Sequence, residues 1–212
     1  KDRARKWLAR AAEHGHADAQ YRLAMSLAPS EGKPDEDDYP VIVENLEKAA
    51  DAGHVPAMFR LGEIYHFPEQ WGRQNDYAKA EKYYRLAERD GHLKAKRNLA
   101  VLYLEGKDAK KKSQLALKML EECAENGDSV CYLQLAYVYN NKYKNAHIAE
   151  SKEKTIYNIA VSVLLKNPDA LYILGEYYII GNRNLGIELF RQSAALGHNL
   201  ASEKLKELGV KK

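Results

Sequence analysis

The fold of this chain is decided by residues 57–91, which read AMFRLGEIY, then a polar loop, and from residue 80 AEKYYRLAERDG. Ala57, Leu61 and Tyr65 recur at i, i+4 and i+8, which places them on one face of a helix. The second segment repeats apolar residues at i, i+3, i+4 and i+7, again on one face. Asn75-Asp76 offers an N-cap for this second helix, and Gly91 ends it. The stretch predicts an antiparallel helical hairpin whose apolar face needs a neighbour to bury it.

The same unit recurs along almost the whole sequence. A leucine, followed in all but the last copy by alanine or glycine, stands at intervals of 38, 38, 36, 39 and 31 residues at Leu23, Leu61, Leu99, Leu135, Leu174 and Leu205. A helix-ending glycine follows in each copy except the fifth, where Lys166 replaces it, at Gly15, Gly53, Gly91, Gly127 and Gly197. A regular period of this length indicates a repeat architecture in which each hairpin packs on the next.

Composition excludes few classes of protein. The 212 residues carry a net charge of +3, which is too balanced to indicate nucleic-acid binding on its own. The longest apolar stretch, residues 159–165, is interrupted only by Ser162 and is much shorter than the roughly 20 residues of a membrane-spanning helix. Because the chain begins with Lys1 rather than methionine, we expect that an N-terminal segment has been removed.

The repeated residues resemble the Sel1-like repeats, relatives of the tetratricopeptide repeat. The family pattern Ala-x3-Leu-Gly-x2-Tyr, a loop and Ala-x2-Trp-Tyr-x2-Ala-Ala-x2-Gly matches nearly the whole chain, and its second half is clear in residues 7–15 and 189–197. The resemblance implies an all-α fold, a right-handed α-α superhelix (solenoid) of about five to six stacked hairpins. The fifth repeat departs from the pattern at Lys166-Asn167-Pro168 and lacks paired alanines, so we expect altered packing there.

The repeat positions predict one solenoid domain over residues 1–212. Its predicted parts are an incomplete first repeat at 1–15, repeats at 16–53, 54–91, 92–127, 128–166 and 167–197, and a C-terminal capping helix at 198–212.

The resemblance also implies where a partner binds. In the related tetratricopeptide fold the first helix of each repeat lines the concave face. The matching positions lie two before, and two or five after, each repeat leucine. They select Tyr21, Met25, Phe59, Glu63, His66, Arg97, Val101, Leu133, Tyr137, Asn140, Tyr172 and Glu176 as partner-binding residues. Aromatic residues with a few charges are typical of interface centres, although some of these rings could instead complete the core between repeats.

Cys123 and Cys131 stand where other repeats carry paired alanines, such as Ala49 and Ala57. Paired small residues indicate two backbones that cross within the Cα separation of about 4.4–6.8 Å that a disulfide needs. The spacing is also similar to that of the bridged, cysteine-rich secreted members of the family. A disulfide favours a periplasmic or secreted protein, and the alternative is a pair of buried thiols in a cytoplasmic protein.

Histidine follows the glycine of several repeats, at His16, His54, His92 and His198. Helices pack about 8–10 Å apart, so this row is too sparse to share a zinc ion, whose nitrogen ligands lie within about 2.1 Å. Glu63-x2-His66 resembles half of a di-iron motif without its second copy. The sequence has no Gly-x-Ser-x-Gly, His-Glu-x2-His or phosphate-loop motif. We predict no enzyme activity, catalytic residue, metal, cofactor or small-molecule substrate.

These observations predict a protein-protein interaction scaffold or adaptor that binds a peptide or protein on its concave face. We expect a bacterial, extracytoplasmic protein of an envelope or secretion assembly. The alternative is an immunity protein or secreted effector that uses the same groove to bind a toxin or host protein. Nucleic-acid binding is a further alternative, through basic loops that contain Lys110, Lys111, Lys112, Lys142, Lys144, Lys152 and Lys154.

Overall fold

The computed structural model describes residues 2–29, 33–71 and 73–210, and for residues 2–4, 68 and 70 it describes the backbone alone. Across these ranges the chain forms twelve α-helices and two short 3-10 helices, with no β-strand. The chain divides into two compact units, Lys1–Asp108 and Ala109–Lys212. The predicted all-α fold of stacked helical hairpins is confirmed, and no described helix is both long and apolar enough to cross a bilayer.

The first unit contains six α-helices, each of which packs against the next along the chain. They are α1 (Asp2–Glu13), α2 (Ala17–Leu27), α3 (Asp38–Asp51), α4 (Val55–His66), α5 (Tyr77–Arg89) and α6 (Leu93–Glu105), with a 3-10 helix at Pro68–Trp71 between α4 and α5. The predicted N-cap of α5 is confirmed, since the Asp76 carboxylate accepts a hydrogen bond from the Lys79 backbone N–H at 3.0 Å.

The second unit is also built of consecutive packed helices. They are α7 (Ala109–Glu125), α8 (Ser129–Tyr139), α9 (Lys152–Leu164), α10 (Pro168–Gly181), α11 (Arg183–Ala195) and α12 (Asn199–Glu207), with a 3-10 helix at Lys144–Ala146 before α9. Because α7 begins at Ala109, Lys110, Lys111 and Lys112 lie in a helix, and their predicted place in a loop was wrong. Lys152 and Lys154 likewise belong to α9.

The large residues of one helix pack into the small residues of the next. A Cβ atom added to Gly62 in α4 would overlap the ring of Tyr84 in α5, which is fully buried. A Cβ atom at Gly175 in α10 would come within 2.7 Å of the ring of Phe190 in α11. Large and small residues therefore interlock in both units.

Helix α9 departs from this pattern, as the sequence predicted for the fifth repeat. Its buried side chains are polar, Asn158 and Ser162, and the Ser162 hydroxyl donates to the Ser129 carbonyl oxygen at 2.8 Å. Ile156 and Leu164 are 68% and 79% exposed. A hydrogen bond therefore joins α9 to α8 where other repeats use alanine packing.

Candidate protein-binding residues

The predicted partner-binding residues lie on the first helices of the repeats. In the first unit α2 carries Tyr21 and Met25, α4 carries Phe59, Glu63 and His66, and α6 carries Arg97 and Val101. In the second unit α8 carries Leu133 and Tyr137 and is capped by Asn140, and α10 carries Tyr172 and Glu176. Within each unit these side chains therefore recur at equivalent positions.

Three members of the predicted set are buried. His66 is 2% exposed, Leu133 is 3% exposed and Val101 is 8% exposed. These three side chains serve the core, and the other nine members of the set are half-buried or exposed. This outcome matches the alternative that some of the selected side chains complete the core.

His66 joins three consecutive helices of the first unit. Its Nε2 lies 3.1 Å from the Glu105 carboxylate at the end of α6, and its Nδ1 lies 3.4 Å from the hydroxyl of Tyr84 in α5. Its ring also stacks on Phe67 at a centroid distance of 4.1 Å. Both ring nitrogens are therefore engaged within the protein.

Three of the four half-buried aromatic residues of the set lie against histidines of the next repeat. Ring centroids lie 4.8 Å apart for Tyr21 and His54, 4.4 Å for Phe59 and His92, and 4.8 Å for Tyr172 and His198. An aromatic ring of this type supplies a large contact area with few rotatable bonds. Stacking holds these three rings in place before any partner arrives.

Each of these histidines caps the helix that follows it. Nδ1 of His54, His92 and His198 accepts a backbone N–H at 3.1–3.2 Å, from Ala57, Ala95 and Ala201. An acceptor at this position satisfies an N–H that the first turn leaves without a helical partner. The ring and the cap together form one contact between consecutive repeats.

These histidines were considered from the sequence only as possible metal ligands, and their capping role was not predicted, although a signal for it exists. An aromatic residue two before the repeat leucine accompanies a histidine cap in the next repeat. Where the cap is Asp128 or Asn167, the preceding position holds Arg97 or Leu133.

Charged groups flank the remaining predicted residues. Glu63 pairs with Arg60 at 3.2 Å, and Glu176 pairs with Lys204 at 3.3 Å. The hydrogen bond that Lys204 donates to Glu176 raises the pKa of Lys204. Burial raises the pKa of Tyr137, so its phenol stays neutral at physiological pH. The surface therefore combines neutral aromatic rings with paired charges.

Cys123 at the end of α7 and Cys131 at the start of α8 form a disulfide, with Cα atoms 5.9 Å apart. The predicted bridge is therefore confirmed. Asp128 lies beside it, and the ligand atoms of the three residues fall within 4.8 Å of one another. The two sulfurs are bonded to each other, and Asp128 Oδ1 accepts the backbone N–H groups of Val130 and Cys131 at 2.8 and 3.3 Å. In this form the three residues are a bridge and a helix cap, not a metal site.

Comparison with known families matches the Sel1 repeat at residues 1–16, 17–54, 55–92, 93–128 and 168–198. The chain belongs to the Sel1 repeat family. The segment between the last two matches contains α8 and α9, the part of this Sel1-repeat protein where the packing departs from the other repeats. A comparison with curated proteins finds no match.

Solved structures share the fold. The protective antigen c5321 of uropathogenic Escherichia coli, which has an SLR fold, aligns with a TM-score of 0.65 at 18% identity over 96% of this chain and 43% of its own. A Sel1 repeat protein from Oxalobacter formigenes aligns with a TM-score of 0.64 at 20% identity, over 92% of this chain and 78% of its own. The immunity protein Pa5087 from Pseudomonas aeruginosa gives 0.59 at 22% identity, over 87% and 67%. This Sel1-repeat protein thus has the α-solenoid fold of that family and spans less than half of the length of c5321.

Proposed function

We propose that this Sel1-repeat protein is an interaction scaffold that binds a peptide or protein partner through the first helices of its repeats. The observation that carries the proposal is the recurring aromatic ring stacked on a histidine cap, at Tyr21, Phe59 and Tyr172. Rings held before binding lose little conformational entropy when a partner arrives. The charged members, of which Glu63 and Arg97 are half-buried and Glu176 is exposed, would bias the orientation of the partner.

The residue types of the predicted set fit a protein partner. Sel1-repeat proteins generally serve as protein-interaction scaffolds. Large aromatic residues with a few charges are typical of the centres of protein interfaces. The proposed activity is binding and uses no catalytic group, cofactor or small-molecule substrate.

We propose an extracytoplasmic location, in an envelope or secretion assembly, on the basis of the disulfide. Such bonds persist in the periplasm and outside the cell, and are rare in the cytosol, where thiols are kept reduced. The bridge between Cys123 and Cys131 supports this location. A count of free thiols in protein purified and denatured without reductant tests it: no free thiol is expected, and two would contradict it.

A second candidate is an immunity protein whose partner is a toxin. The solved immunity proteins Pa5087 and PA5088 of Pseudomonas aeruginosa have this fold, each over 87% of this chain. A secreted effector would use the same residues on a host protein. These alternatives differ in the partner and not in the predicted surface, so identification of the partner decides among them.

Nucleic-acid binding is the least favoured alternative. The ammonium groups of Lys142 and Lys154 lie 4.1 and 4.6 Å from the ring centroids of Tyr137 and Tyr139, so both cations already have a partner within the chain. Binding to nucleic acid would weaken steeply as salt is raised. A partner that stays bound with little change over a salt series would contradict this alternative.

The test of the scaffold proposal is capture from native extract, with bound proteins identified by mass spectrometry. The bait is the wild-type chain, compared with a Tyr21→Ala/Tyr172→Ala variant. The control bait is Lys118→Ala, whose side chain is 74% exposed on α7, away from the predicted set. We expect one protein or complex to be retained by the wild type and the control and lost by the double variant. Equal retention by all three would place the binding surface elsewhere.

A further inference from the structure

An open pocket of about 290 Å³ lies where α7, α8 and α9 meet in the second unit. Its lining is aromatic and charged, and includes Glu121, Tyr132, Tyr139, Lys154, Tyr157 and Asn158. None of these residues belongs to the predicted partner-binding set. We call this space the Asn158 pocket.

The first unit contains the same arrangement of side chains among α3, α4 and α5. Counted from the repeat leucines and helix-ending residues, Glu47 corresponds to Glu121 and Tyr65 corresponds to Tyr139. The hydroxyl of Tyr65 donates to Glu47 Oε1 at 3.4 Å, and that of Tyr139 donates to Glu121 Oε1 at 3.5 Å. The two units therefore share the tyrosine and its carboxylate acceptor.

A lysine covers this tyrosine in both units. Lys79 and Lys154 each lie twelve residues before the end of their repeats, at Gly91 and Lys166. The Lys79 ammonium lies 4.8 Å from the ring centroid of Tyr65, and the Lys154 ammonium lies 4.6 Å from that of Tyr139. Both units therefore have the same three groups, a tyrosine, a glutamate and a lysine, in the same contacts.

The two units differ at one residue of this arrangement, which is Tyr83 in the first unit and Asn158 in the second. In the first unit the ring of Tyr83 lies nearly parallel to that of Tyr65, at 8° with centroids 5.9 Å apart, and its hydroxyl donates to Glu47 Oε1 at 3.3 Å. In the second unit Asn158 takes the place of Tyr83, and its side-chain amide donates to the Lys154 carbonyl oxygen on its own helix at 2.7 Å. The Asn158 pocket is therefore the space that a tyrosine side chain occupies in the first unit.

We propose that the Asn158 pocket binds a tyrosine side chain of a partner protein, in the position that Tyr83 occupies in the first unit. The incoming phenol stacks on Tyr139 and its hydroxyl donates to the Glu121 carboxylate. The proposal deepens the proposed function, on which it rests because the tyrosine belongs to a bound protein.

The rim of the pocket supports the choice of a neutral aromatic ligand. Tyr157, which is 61% exposed, stands where Lys82 approaches the ring of Tyr83 in the first unit. A ring at this position adds a second aromatic wall. The Glu121 carboxylate accepts a hydrogen bond from a neutral phenol but repels a phosphorylated tyrosine. The Lys154 ammonium, the cation of the lining, already donates to the Tyr139 hydroxyl at 3.4 Å. The pocket therefore selects tyrosine over phosphotyrosine.

The probe for this proposal is p-cresol, which has the structure of the tyrosine side chain, followed by NMR of the isotopically labelled protein. We expect saturable shifts confined to α7, α8 and α9, with a Kd in the millimolar range that suits so small a ligand. Toluene, which lacks the hydroxyl, should bind about tenfold more weakly because the bond to Glu121 is lost. p-Tolyl phosphate should not bind. Equal binding of toluene, or tighter binding of 4-methylbenzylamine, would overturn the proposal, the latter in favour of a basic side chain.

Two matched variants make the test independent of any partner. Asn158→Tyr fills the pocket from within and should abolish the p-cresol shifts, and Tyr83→Asn should create a second p-cresol site among α3, α4 and α5. Circular dichroism of each variant confirms that it is folded. If p-cresol shifts persist in Asn158→Tyr, the pocket is not the site. Binding of p-cresol to wild type with no captured protein would contradict the scaffold proposal alone, and capture without p-cresol binding would contradict the pocket alone.

Discussion

Lys166 adopts the left-handed backbone conformation that glycine takes at the ends of the other repeats. Its φ is +56°, against +79° for Gly91 and +84° for Gly127. A residue with a Cβ atom is strained in this region, whereas glycine is not. The replacement predicted from sequence at the fifth helix end is thus a local cost that the other repeats avoid.

Substitution of Lys166 by glycine should stabilise the protein, because it removes this strain. We expect the free energy of unfolding to rise by up to about 1 kcal/mol, measured by urea denaturation. The matched control is Gly91→Ala, which should lower it by about 1 kcal/mol because φ there is also positive. A loss of stability in Lys166→Gly would show that the lysine side chain contributes more than its backbone costs.

Substitution of Gly62 by alanine adds one methyl group and tests how closely α4 and α5 pack. Gly62→Ala should destabilise the first unit by about 1–3 kcal/mol, because the new Cβ overlaps the fully buried ring of Tyr84. Thermal and urea unfolding measure the change. The control is Gly181→Ala, at the end of α10, where nothing lies within 4 Å of the added atom. If both substitutions have the same effect, the close approach of α4 and α5 does not matter for stability.

At the scale of the helix, the cap formed by His92 makes stability depend on pH. The Nδ1 atom of His92 accepts the Ala95 N–H, so it can do so only while that nitrogen is unprotonated. Burial lowers the pKa of His92 below its usual 6.5, and the nearby Lys94 acts in the same direction. Between the lowered value and 6.5 the unfolded chain binds more protons than the folded one, so stability rises with pH in this window.

The pH dependence of unfolding measures this contribution. Stability from His92 should be fully present above pH of about 6.5 and should fall as the pH drops below it. The comparison is with His92→Asn, which keeps an acceptor that does not titrate, as Asn167 does for the Ala170 N–H at 2.9 Å. As the pH is lowered, the wild type should lose more of its free energy of unfolding than His92→Asn does. A difference that does not vary with pH would contradict the role of His92.

The disulfide stabilises the junction of α7 and α8. Cys123→Ala/Cys131→Ala places in this repeat the alanines that other repeats carry, such as Ala49 and Ala57, so the packing is retained and the cross-link alone is lost. We expect a loss of about 2–3 kcal/mol in the free energy of unfolding without reductant. Wild type with reductant should lose a similar amount, and the variant should not respond. Equal stability of wild type with and without reductant would contradict the contribution of the bridge.

At the scale of the whole molecule, periodicity predicted the stacked helical hairpins, and the family resemblance supplied the α-solenoid. The leucine spacing identified the repeats, and paired small residues located the disulfide, because both patterns arise from the contact of one helix with the next. The same periodicity identified the fifth repeat as the exception, and Lys166 and the polar face of α9 bear this out. A pattern that recurs at the same position of each repeat can be recognised from a single sequence.

Features that depend on contacts between side chains of different repeats could not be predicted in this way. His66 was predicted to bind a partner, but Tyr84 and Glu105 engage its two ring nitrogens. The stacking of Phe59 on His92 joins residues 33 positions apart, so its only signal in the sequence is a correlation between one repeat and the next. The Asn158 pocket is visible only when the two units are compared contact by contact, since asparagine at that position is otherwise an ordinary buried residue.

The most direct test of the binding function is the affinity for the partner captured by the wild-type chain. Tyr137, a half-buried member of the predicted set, is compared with Tyr177, which lies outside the set and is 76% exposed on α10 of the same unit. We expect Tyr137→Ala to weaken binding by tenfold or more, as measured by calorimetry, because it removes an aromatic anchor, while Tyr177→Ala leaves the Kd unchanged. An unchanged Kd for Tyr137→Ala together with a weakened Kd for Tyr177→Ala would contradict the proposal that the first-helix residues selected from the repeat pattern form the binding surface.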